Sequence, residues 1–241
     1  MKRLAVFELT GCGGCDLNII FLGERLIDLL ELYEISHFQM MSSRHDEGFY
    51  DVAIVTGSVS SLRDREVLIR ARESSEVLLA LGTCAIHGGP QGSLEKGNIN
   101  LVPKVYGKHL SNNLFLGEPV SKYVKVDFSI PGCPCDPNEL FSALVDIAHG
   151  VPPQEKDYPV CLECKINEYE CVLLKRGIPC LGPITVGGCN AACLRIGAGC
   201  IGCRGPLPKD TNFDAEYRIL LDLLKDDKDA KRKLSIFSRK R

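Results

Sequence analysis

The distribution of cysteine constrains this chain more than any other feature of its sequence. Thirteen of the 241 residues are cysteine, and eight of these fall between Cys161 and Cys203. An odd number of cysteines cannot pair completely within one chain, and dense disulfide frameworks are typical of short secreted domains. We therefore expect the cysteines to bind metal, the alternative being buried and chemically inert thiols.

Composition and charge exclude several classes of function. Apolar residues make up 45% and charged residues 25% of the chain, as in an ordinary globular protein. The net charge of −2 gives no overall positive field for nucleic acid or an anionic membrane. The charged opening residues predict no secretory signal, and the longest apolar stretch, residues 17–32, contains four charged side chains that exclude a membrane span. We expect a cytoplasmic protein without a nucleic-acid partner.

The first 150 residues alternate between short apolar runs and helical segments. Strands are predicted at residues 4–9, 34–40, 51–56, 77–81 and 123–130, and helices at 17–32, 62–73 and 139–149. The runs at 52–55 and 77–81 are continuously apolar, which is typical of parallel strands covered on both faces. The pattern predicts an α/β fold with an open, flavodoxin-like parallel sheet.

The character of the sequence changes after Gly150. Val151-Pro152-Pro153 ends the preceding helix, and the cysteine-rich window that follows has little apolar periodicity before a helix predicted at 213–224. We predict two domains, residues 1–150 with the flavodoxin-like sheet and residues 151–241 forming a smaller, loop-rich domain whose folding depends on metal. The basic segment 231–241 is interpreted as a solvated or partner-docking tail.

Four cysteines follow predicted strands. Cys12 and Cys15 come after the first strand, Cys84 after the fourth and Cys133 after the fifth, each beside glycine or a Gly-containing turn. In an open parallel sheet, ligands bind at the carboxyl ends of the strands, so these thiols are expected to converge. Four thiolates bind either an iron-sulfur cluster or a structural zinc ion. The glycines do not form a phosphate-binding motif.

The other eight cysteines supply two further sets of four thiolates. Sequential division gives Cys161, Cys164, Cys171 and Cys180 as one set, and Cys189, Cys193, Cys200 and Cys203 as the other. Ferredoxins can exchange one cysteine between neighbouring clusters, which leaves the assignment of Cys180 and Cys189 open. Twin zinc sites are the alternative for these eight positions. The group at the strand ends favours redox clusters, because a sheet with its own apolar core does not need a structural metal.

Five short motifs, taken together, identify a family. They are Cys12-Gly-Gly-Cys15, Gly-Thr-Cys84-Ala, Pro-Gly-Cys133-Pro, Cys180-Leu-Gly-Pro and Gly-Cys200-Ile-Gly-Cys203. In combination, over residues 4–206, they resemble the small subunit of nickel-iron hydrogenases, most closely the delta subunits of cytoplasmic sulfhydrogenases that work with NAD(P). The small subunits of coenzyme F420-linked hydrogenases are near neighbours.

The resemblance implies three 4Fe-4S clusters. It assigns Cys12, Cys15, Cys84 and Cys133 to the proximal cluster, Cys189, Cys193, Cys200 and Cys203 to the medial cluster, and Cys161, Cys164, Cys171 and Cys180 to the distal cluster. Cys161 stands where membrane-bound and periplasmic relatives have His, and Cys193 where many have Pro, so all three clusters are expected to have four thiolate ligands. Cys135, where Pro is common, is expected to be a thiol that is not a ligand.

The resemblance also implies a function that needs partners. The chain lacks the nickel-binding cysteine pairs of a large subunit, so it is expected to have no catalytic residue and to relay electrons between that subunit and a flavin, NAD(P)-binding and iron-sulfur partner. An F420-linked or ferredoxin-linked hydrogenase is the alternative. A relay like that of respiratory complex I is disfavoured, because that relative has adjacent cysteines in place of Cys12-x-x-Cys15. A zinc-stabilised interaction module is the alternative from another class.

Overall fold

A five-stranded parallel sheet organises the first of two units, Met1–Gln154 and Glu155–Arg241, into which the chain divides. The computed structural model describes residues 1–43, 46–93, 101, 103–104, 107, 113–209 and 211–237. In chain order the strands of these residues are β1 (Lys2–Glu8), β2 (Tyr33–Phe38), β3 (Tyr50–Thr56), β4 (Val59–Ser61), β5 (Ser75–Leu81), β6 (Leu114–Glu118) and β7 (Phe128–Ile130).

The order of the strands in the sheet is β2-β1-β3-β5-β7, and every neighbouring pair is parallel. Strands β4 and β6 form a separate antiparallel pair and do not belong to this sheet. When only its five strands are numbered along the chain, their order is 2-1-3-4-5, which is the order of flavodoxin-like folds and confirms the predicted fold class. In β3, Ile54 packs into the apolar core on one face and Val55 into the core on the other. Both faces of the strand are buried, as its continuous apolar run predicts.

Helices cover the sheet of the first unit. Within the described residues they are α1 (Gly14–Ile20), α2 (Glu24–Leu32), α3 (Leu62–Glu73), α4 (Gly82–His87), α5 (Gly89–Gly92) and α6 (Pro137–Ala148). The start of α6 is fixed by Asp136, whose carboxylate accepts hydrogen bonds from the backbone N–H groups of Asn138 and Glu139. Helix α6 then buries Leu140 and Leu144 in the core beside β1, β3 and β5.

Two predicted elements differ from the structure. The helix predicted at 17–32 is two helices, because the chain leaves the helical conformation between Phe21 and Gly23, where Gly23 adopts a φ of +63°. The strand predicted at 123–130 is limited to Phe128–Ile130. Its first residues follow a short 3-10 helix, Val120–Lys122, and pack as apolar side chains without joining the sheet.

The second unit is built from short helices and turns. Its described helices are α7 (Val160–Ile166), α8 (Val172–Arg176), α9 (Ala192–Arg195), α10 (Phe213–Leu224) and α11 (Asp227–Ser235). Helix α10 has the predicted bounds. Residues 231–235 belong to α11, in which Ala230 and Leu234 are buried against α10 while the basic side chains at 231–233 are exposed. Residues 238–241 lie outside the described residues, and a role in partner docking stays a prediction.

The boundary between the two units, at Gln154, is near the boundary predicted after Gly150. In the part of the chain that the structure describes, no helix combines the length and apolar character needed to cross a membrane. The assignment of one cluster to the first domain and two to the second stays a prediction.

Gly57 and Gly23 provide a matched test of whether the close packing of backbone at the sheet edge requires glycine. Both have positive φ, but a Cβ on Gly57 would lie 2.6 Å from the carbonyl carbon of Leu9, whereas one on Gly23 would meet nothing within 4 Å. We expect Gly23→Ala to lower the free energy of unfolding by about 1 to 3 kcal/mol, because its φ of 63° and ψ of −129° form a backbone conformation that alanine rarely adopts. Gly57→Ala should cost about 1 to 3 kcal/mol more, since the backbone of Leu9 must move. Denaturant unfolding followed by circular dichroism measures both, and equal losses would contradict the prediction.

Candidate metal centres

Three loops that carry cysteine meet at the carboxyl edge of the parallel sheet. They follow β1, β5 and β7. The Thr83 N–H donates to the Gly132 carbonyl at 2.9 Å, and the Gly132 N–H donates back to Thr83 Oγ1 at 3.1 Å. A Cβ placed on Gly82 would overlap the Cys15 sulfur. The sheet therefore brings the Cys12-to-Cys15 loop and the Cys84 and Cys133 loops together, as their places after the strands predict.

Cys84 is held in this edge by a hydrogen bond that the sequence analysis did not identify. Its sulfur donates to Gln91 Oε1 at 3.8 Å, and Gln91 Nε2 donates to the Thr10 carbonyl at 3.0 Å and to Ser58 Oγ at 2.8 Å. Burial raises the pKa of Cys84, and the charges of Cys15 and Cys12 raise it further. Gln91 thus connects the thiol after β5 with the loop after β1.

The surroundings of these thiols fit an iron-sulfur cluster. A Cβ on Gly14 would lie 3.4 Å from the Cys12 sulfur, and one on Gly89 would lie 2.5 Å from the Cys84 sulfur. Glycine at these positions leaves room for backbone amides to approach a bound cluster, where they can donate to its sulfur atoms. Four thiol donors with glycine beside them are the donor set that such a cluster uses.

Cys135 interacts with the Cys15 sulfur from the apolar core. It is 1% exposed and packs beside Leu140, and its backbone carbonyl accepts a hydrogen bond from Asn18 Nδ2 at 2.6 Å. The hydrogen bond between the two thiols lowers the pKa of Cys15 in spite of its burial, and raises that of Cys135 far above its usual range. Cys135 belongs to the apolar core, whereas Cys15 packs against its margin, and the prediction that Cys135 is not a ligand stays a prediction.

Three other titratable residues lie near this edge. Asp16 is buried and accepts a hydrogen bond from Thr56 Oγ1 at 2.7 Å, and burial raises its pKa to about 6. Burial lowers the pKa of His87 to about 4, so the imidazole is neutral at pH 7. The carboxylate of Glu8 accepts a hydrogen bond from the Met40 N–H at 3.0 Å, which connects the end of β1 to the segment after β2.

In the second unit, the first four cysteines of the window lie close together. Cys161 and Cys164 are one turn apart on α7, Cys171 begins α8, and Cys180 follows that helix. The pKa of Cys161 is raised to about 11, first by burial and then by the charges of Cys180, Cys164 and Cys171. The three other thiols therefore lie near Cys161, while the division of the eight cysteines into two sets of four stays a prediction.

The remaining four cysteines adjoin this set through Cys200. Burial raises the pKa of Cys200 to about 12, with further contributions from the charges of Cys180 and Cys203. The Cys200 N–H also donates to the Cys180 sulfur at 3.3 Å. Cys193 lies on α9, and Cys189 precedes that helix. Cys180 thus lies beside cysteines of both sets. Neither its spacing in the sequence nor these contacts assign it to one of them.

Thiols form part of the apolar core of the second unit. Cys164, Cys180 and Cys200 are buried with the side chains of Val160 and Val172. Throughout the described residues, no three His, Cys, Asp or Glu side chains are arranged to hold a single metal ion. A Cβ on Gly182 would lie 3.3 Å from the Cys161 sulfur, so this set also has a glycine against it. The donor set fits thiolate-bound clusters in this unit as well.

Two carboxylates beside the second-unit cysteines were not predicted from the sequence. Glu216 on α10 is 2% exposed, its Oε1 has no hydrogen-bond partner among the described residues, and burial raises its pKa to about 7. Its charge raises the pKa of Cys161 and Cys180. Its spacing of four residues from buried Leu220 was the available signal. The other, Glu163, lies inside the Cys161-x-x-Cys164 motif, but its hydrogen-bond partners Gly188 and Ala191 are far along the chain and no local signal indicates them.

Comparison with known proteins agrees with this arrangement. Residues 12–147 match the family described as NADH ubiquinone oxidoreductase, 20 Kd subunit. The chain is 55% identical to sulfhydrogenase 2 subunit delta of Pyrococcus furiosus, over 98% of this chain and 99% of that protein. It is 29% identical to a vhu subunit of the F420-non-reducing hydrogenase of Methanocaldococcus jannaschii, over 88% of this chain and 85% of the relative. A crystal structure of an NAD+-reducing NiFe-hydrogenase matches with a TM-score of 0.57 and 27% identity, covering 64% of this chain and 94% of the other.

Replacement of two neighbouring cysteines tests the assignment at the sheet edge. Cys135→Ala should leave the bound iron unchanged, because its side chain is buried in the apolar core of the first unit. Cys133→Ala should remove one cluster, or about four iron atoms per chain. Iron and acid-labile sulfide, measured on anaerobically purified protein, check both variants. Equal iron loss in the two would show that Cys135 is a ligand.

Removal of the metal should affect the two units differently. The first unit has an apolar core on both faces of its sheet, whereas thiols make up part of the core of the second. After iron is stripped by a chelator under reducing conditions, we expect limited proteolysis to cut residues 155–237 first and to leave a fragment that contains the sheet. Protein that keeps its iron is the control. Equal cleavage of both units after stripping would contradict the prediction.

Proposed function

We propose that this chain is the electron-transfer small subunit of a soluble nickel-iron hydrogenase. The chain belongs to the family of the NADH ubiquinone oxidoreductase 20 Kd subunit and of hydrogenase delta subunits. The observation that carries the proposal is the 55% identity to a sulfhydrogenase delta subunit along 98% of the chain. The meeting of the cysteine loops at the carboxyl edge of the sheet supports it independently, since this edge is where open α/β sheets bind their ligands.

The proposal includes three 4Fe-4S clusters, each held by four thiolates. The proximal ligands are Cys12, Cys15, Cys84 and Cys133, the medial ligands Cys189, Cys193, Cys200 and Cys203, and the distal ligands Cys161, Cys164, Cys171 and Cys180. A cluster of this type supplies reversible one-electron transfer when it is bound. Support comes from the mutual proximity of the distal thiols and from the glycines against Cys12 and Cys84.

The residues of this chain have three tasks in such a relay. The cysteines bind the clusters, and the burial of Cys164, Cys180 and Cys200 limits the access of water to the clusters of the second unit. Backbone N–H groups donate to thiol sulfurs, as Gly202 does to Cys200 at 3.4 Å, and so stabilise the negative charge that a thiolate carries. The thiol of Cys135 does the same for Cys15. These contacts and the nearby charges set the reduction potential at each position.

We propose two kinds of partner for this subunit. A large subunit would carry the nickel-iron site, and a flavin, NAD(P)-binding and iron-sulfur partner would exchange electrons at the other end of the relay, in the cytoplasm. The match to a chain of an NAD+-reducing hydrogenase, at 27% identity, favours NAD(P) over coenzyme F420 or ferredoxin as the acceptor. A zinc-stabilised interaction module is disfavoured by the similarity to a hydrogenase subunit along nearly the full chain.

Analysis of the metal tests the central part of the proposal. Anaerobically prepared protein should contain about twelve iron and about twelve acid-labile sulfide per chain, because three 4Fe-4S clusters require four of each. Electron paramagnetic resonance of the reduced protein should then show iron-sulfur signals. Zinc without sulfide would overturn the proposal in favour of the interaction module.

Purification of the native complex tests the partners. Nickel should be present in the complex and absent from the isolated chain, and hydrogen should reduce NADP or NAD only when the complex is intact. Hydrogen-dependent reduction of coenzyme F420 alone would overturn the assignment of the acceptor while leaving the electron-transfer role in place.

A further inference from the structure

Glu163 joins two cysteine-bearing segments of the second unit. It lies on α7 between Cys161 and Cys164, and its carboxylate reaches the loop at residues 187–191, which carries Cys189. Glu163 Oε1 accepts hydrogen bonds from the Gly188 N–H and, at 3.3 Å, from the Tyr158 hydroxyl. Its Oε2 accepts hydrogen bonds from the Ala191 N–H at 3.0 Å and from the Cys189 thiol at 3.8 Å. One side chain thus accepts four hydrogen bonds, three of them from this loop.

The loop needs such an acceptor because its backbone is in an unfavourable conformation. Asn190 and Ala191 have φ values of 51° and 48°, in the left-handed region that costs a non-glycine residue about 1 to 2 kcal/mol. Charge-assisted hydrogen bonds to two of the loop's N–H groups offset this cost. A second contact runs from the same helix, since Asn167 Nδ2 donates to Asn190 Oδ1 at 2.8 Å. The position of Cys189 relative to α7 is therefore fixed from α7 itself.

Two opposite charges flank the Cys189 thiol. Glu163 supplies the negative one. Arg204 supplies the positive one, since it is 1% exposed and its Nε donates to the Gly187 carbonyl at 2.7 Å, in the same loop. After burial, the charge of Glu163 raises the pKa of Cys189 and that of Arg204 lowers it. Any negative centre bound at Cys189 therefore experiences both side chains.

We propose that Glu163 is a positioning residue for the cluster bound by Cys189, which it holds against α7 and whose reduction potential it lowers through its negative charge. The inference rests on the proposed function and assigns a role to a residue that is not a ligand. Reduction adds one electron to a centre that already carries thiolate charge, so a carboxylate at 3.8 Å from a ligand sulfur opposes it. Arg204 acts in the opposite direction, and the balance of the two sets the potential.

The test compares the unmodified full-length protein, with its clusters bound, with four full-length variants. Glu163→Gln removes the charge and Glu163→Asp keeps it on a shorter side chain. Glu168→Gln makes the same charge change at a residue nearby on the chain. Cys189→Ala identifies the relevant signal, because it removes the ligand. Potentiometric titration followed by electron paramagnetic resonance is the measurement, with iron and sulfide determined on each sample.

Glu163→Gln should shift the equilibrium of that one cluster toward the reduced form by about tenfold, which corresponds to 59 mV for one electron. Glu163→Asp should shift it less, because the charge remains, and Glu168→Gln should not shift it. Loss of about four iron atoms in Glu163→Gln but not in Glu168→Gln would also support the positioning role.

Unchanged potentials and full iron in Glu163→Gln would overturn the inference, as would a shift confined to the other clusters. An equal shift in Glu163→Gln and Glu168→Gln would overturn it too, because the effect would then come from overall charge. The metal content of the unmodified protein tests the proposed function separately, because zinc without sulfide there would overturn that function.

Discussion

Thiolate groups that are buried close together destabilise one another, and the second unit is organised around this cost. The pKa of Cys161 rises to about 11 and that of Cys200 to about 12 because burial and the neighbouring thiolates both disfavour the charged form. At neutral pH these sulfurs are protonated unless a positive centre compensates for their charge. Metal binding supplies that compensation, since only the thiolate is a ligand. The free energy of binding is then also free energy of folding for this part of the chain.

In the first unit, the core does not depend on buried thiols. Ile54 and Leu79 pair in the centre of its sheet and are fully buried, so its core forms from apolar side chains alone. The thiols occupy loops at the edge of that core, and hydrogen bonds between Thr83 and Gly132 hold two of those loops together. The polypeptide of the first unit therefore positions its thiols without metal. In the second unit, the positions of the thiols and the binding of metal depend on each other.

These differences explain how much the sequence predicts. The apolar runs at 52–55 and 77–81 specify buried parallel strands, and a cysteine that follows such a strand is placed at the carboxyl edge without knowledge of any contact. The break in the helix at 17–32 had a local signal in Gly23, whereas the short strand Phe128–Ile130 had none, because tertiary packing decides how far an apolar segment joins a sheet. Glu163 was missed for a related reason. Its partners in the loop lie about 25 residues away, and no local pattern reports hydrogen bonds over that separation.

Overall charge is a poor guide to the electrostatics of such a protein. The net charge of −2 predicts little field at a distance, and ion pairs such as Lys225–Asp222, with side chains 74% and 80% exposed, are screened by water and salt. Arg204 and Glu216, at 1% and 2% exposed, are in an environment of much lower dielectric constant, where a single charge acts strongly over several ångströms. A few buried groups beside the cysteines therefore outweigh the many charges at the surface. Substitutions at the surface should leave the metal centres unaffected, while one buried carboxyl or guanidinium can change the potential at a single centre.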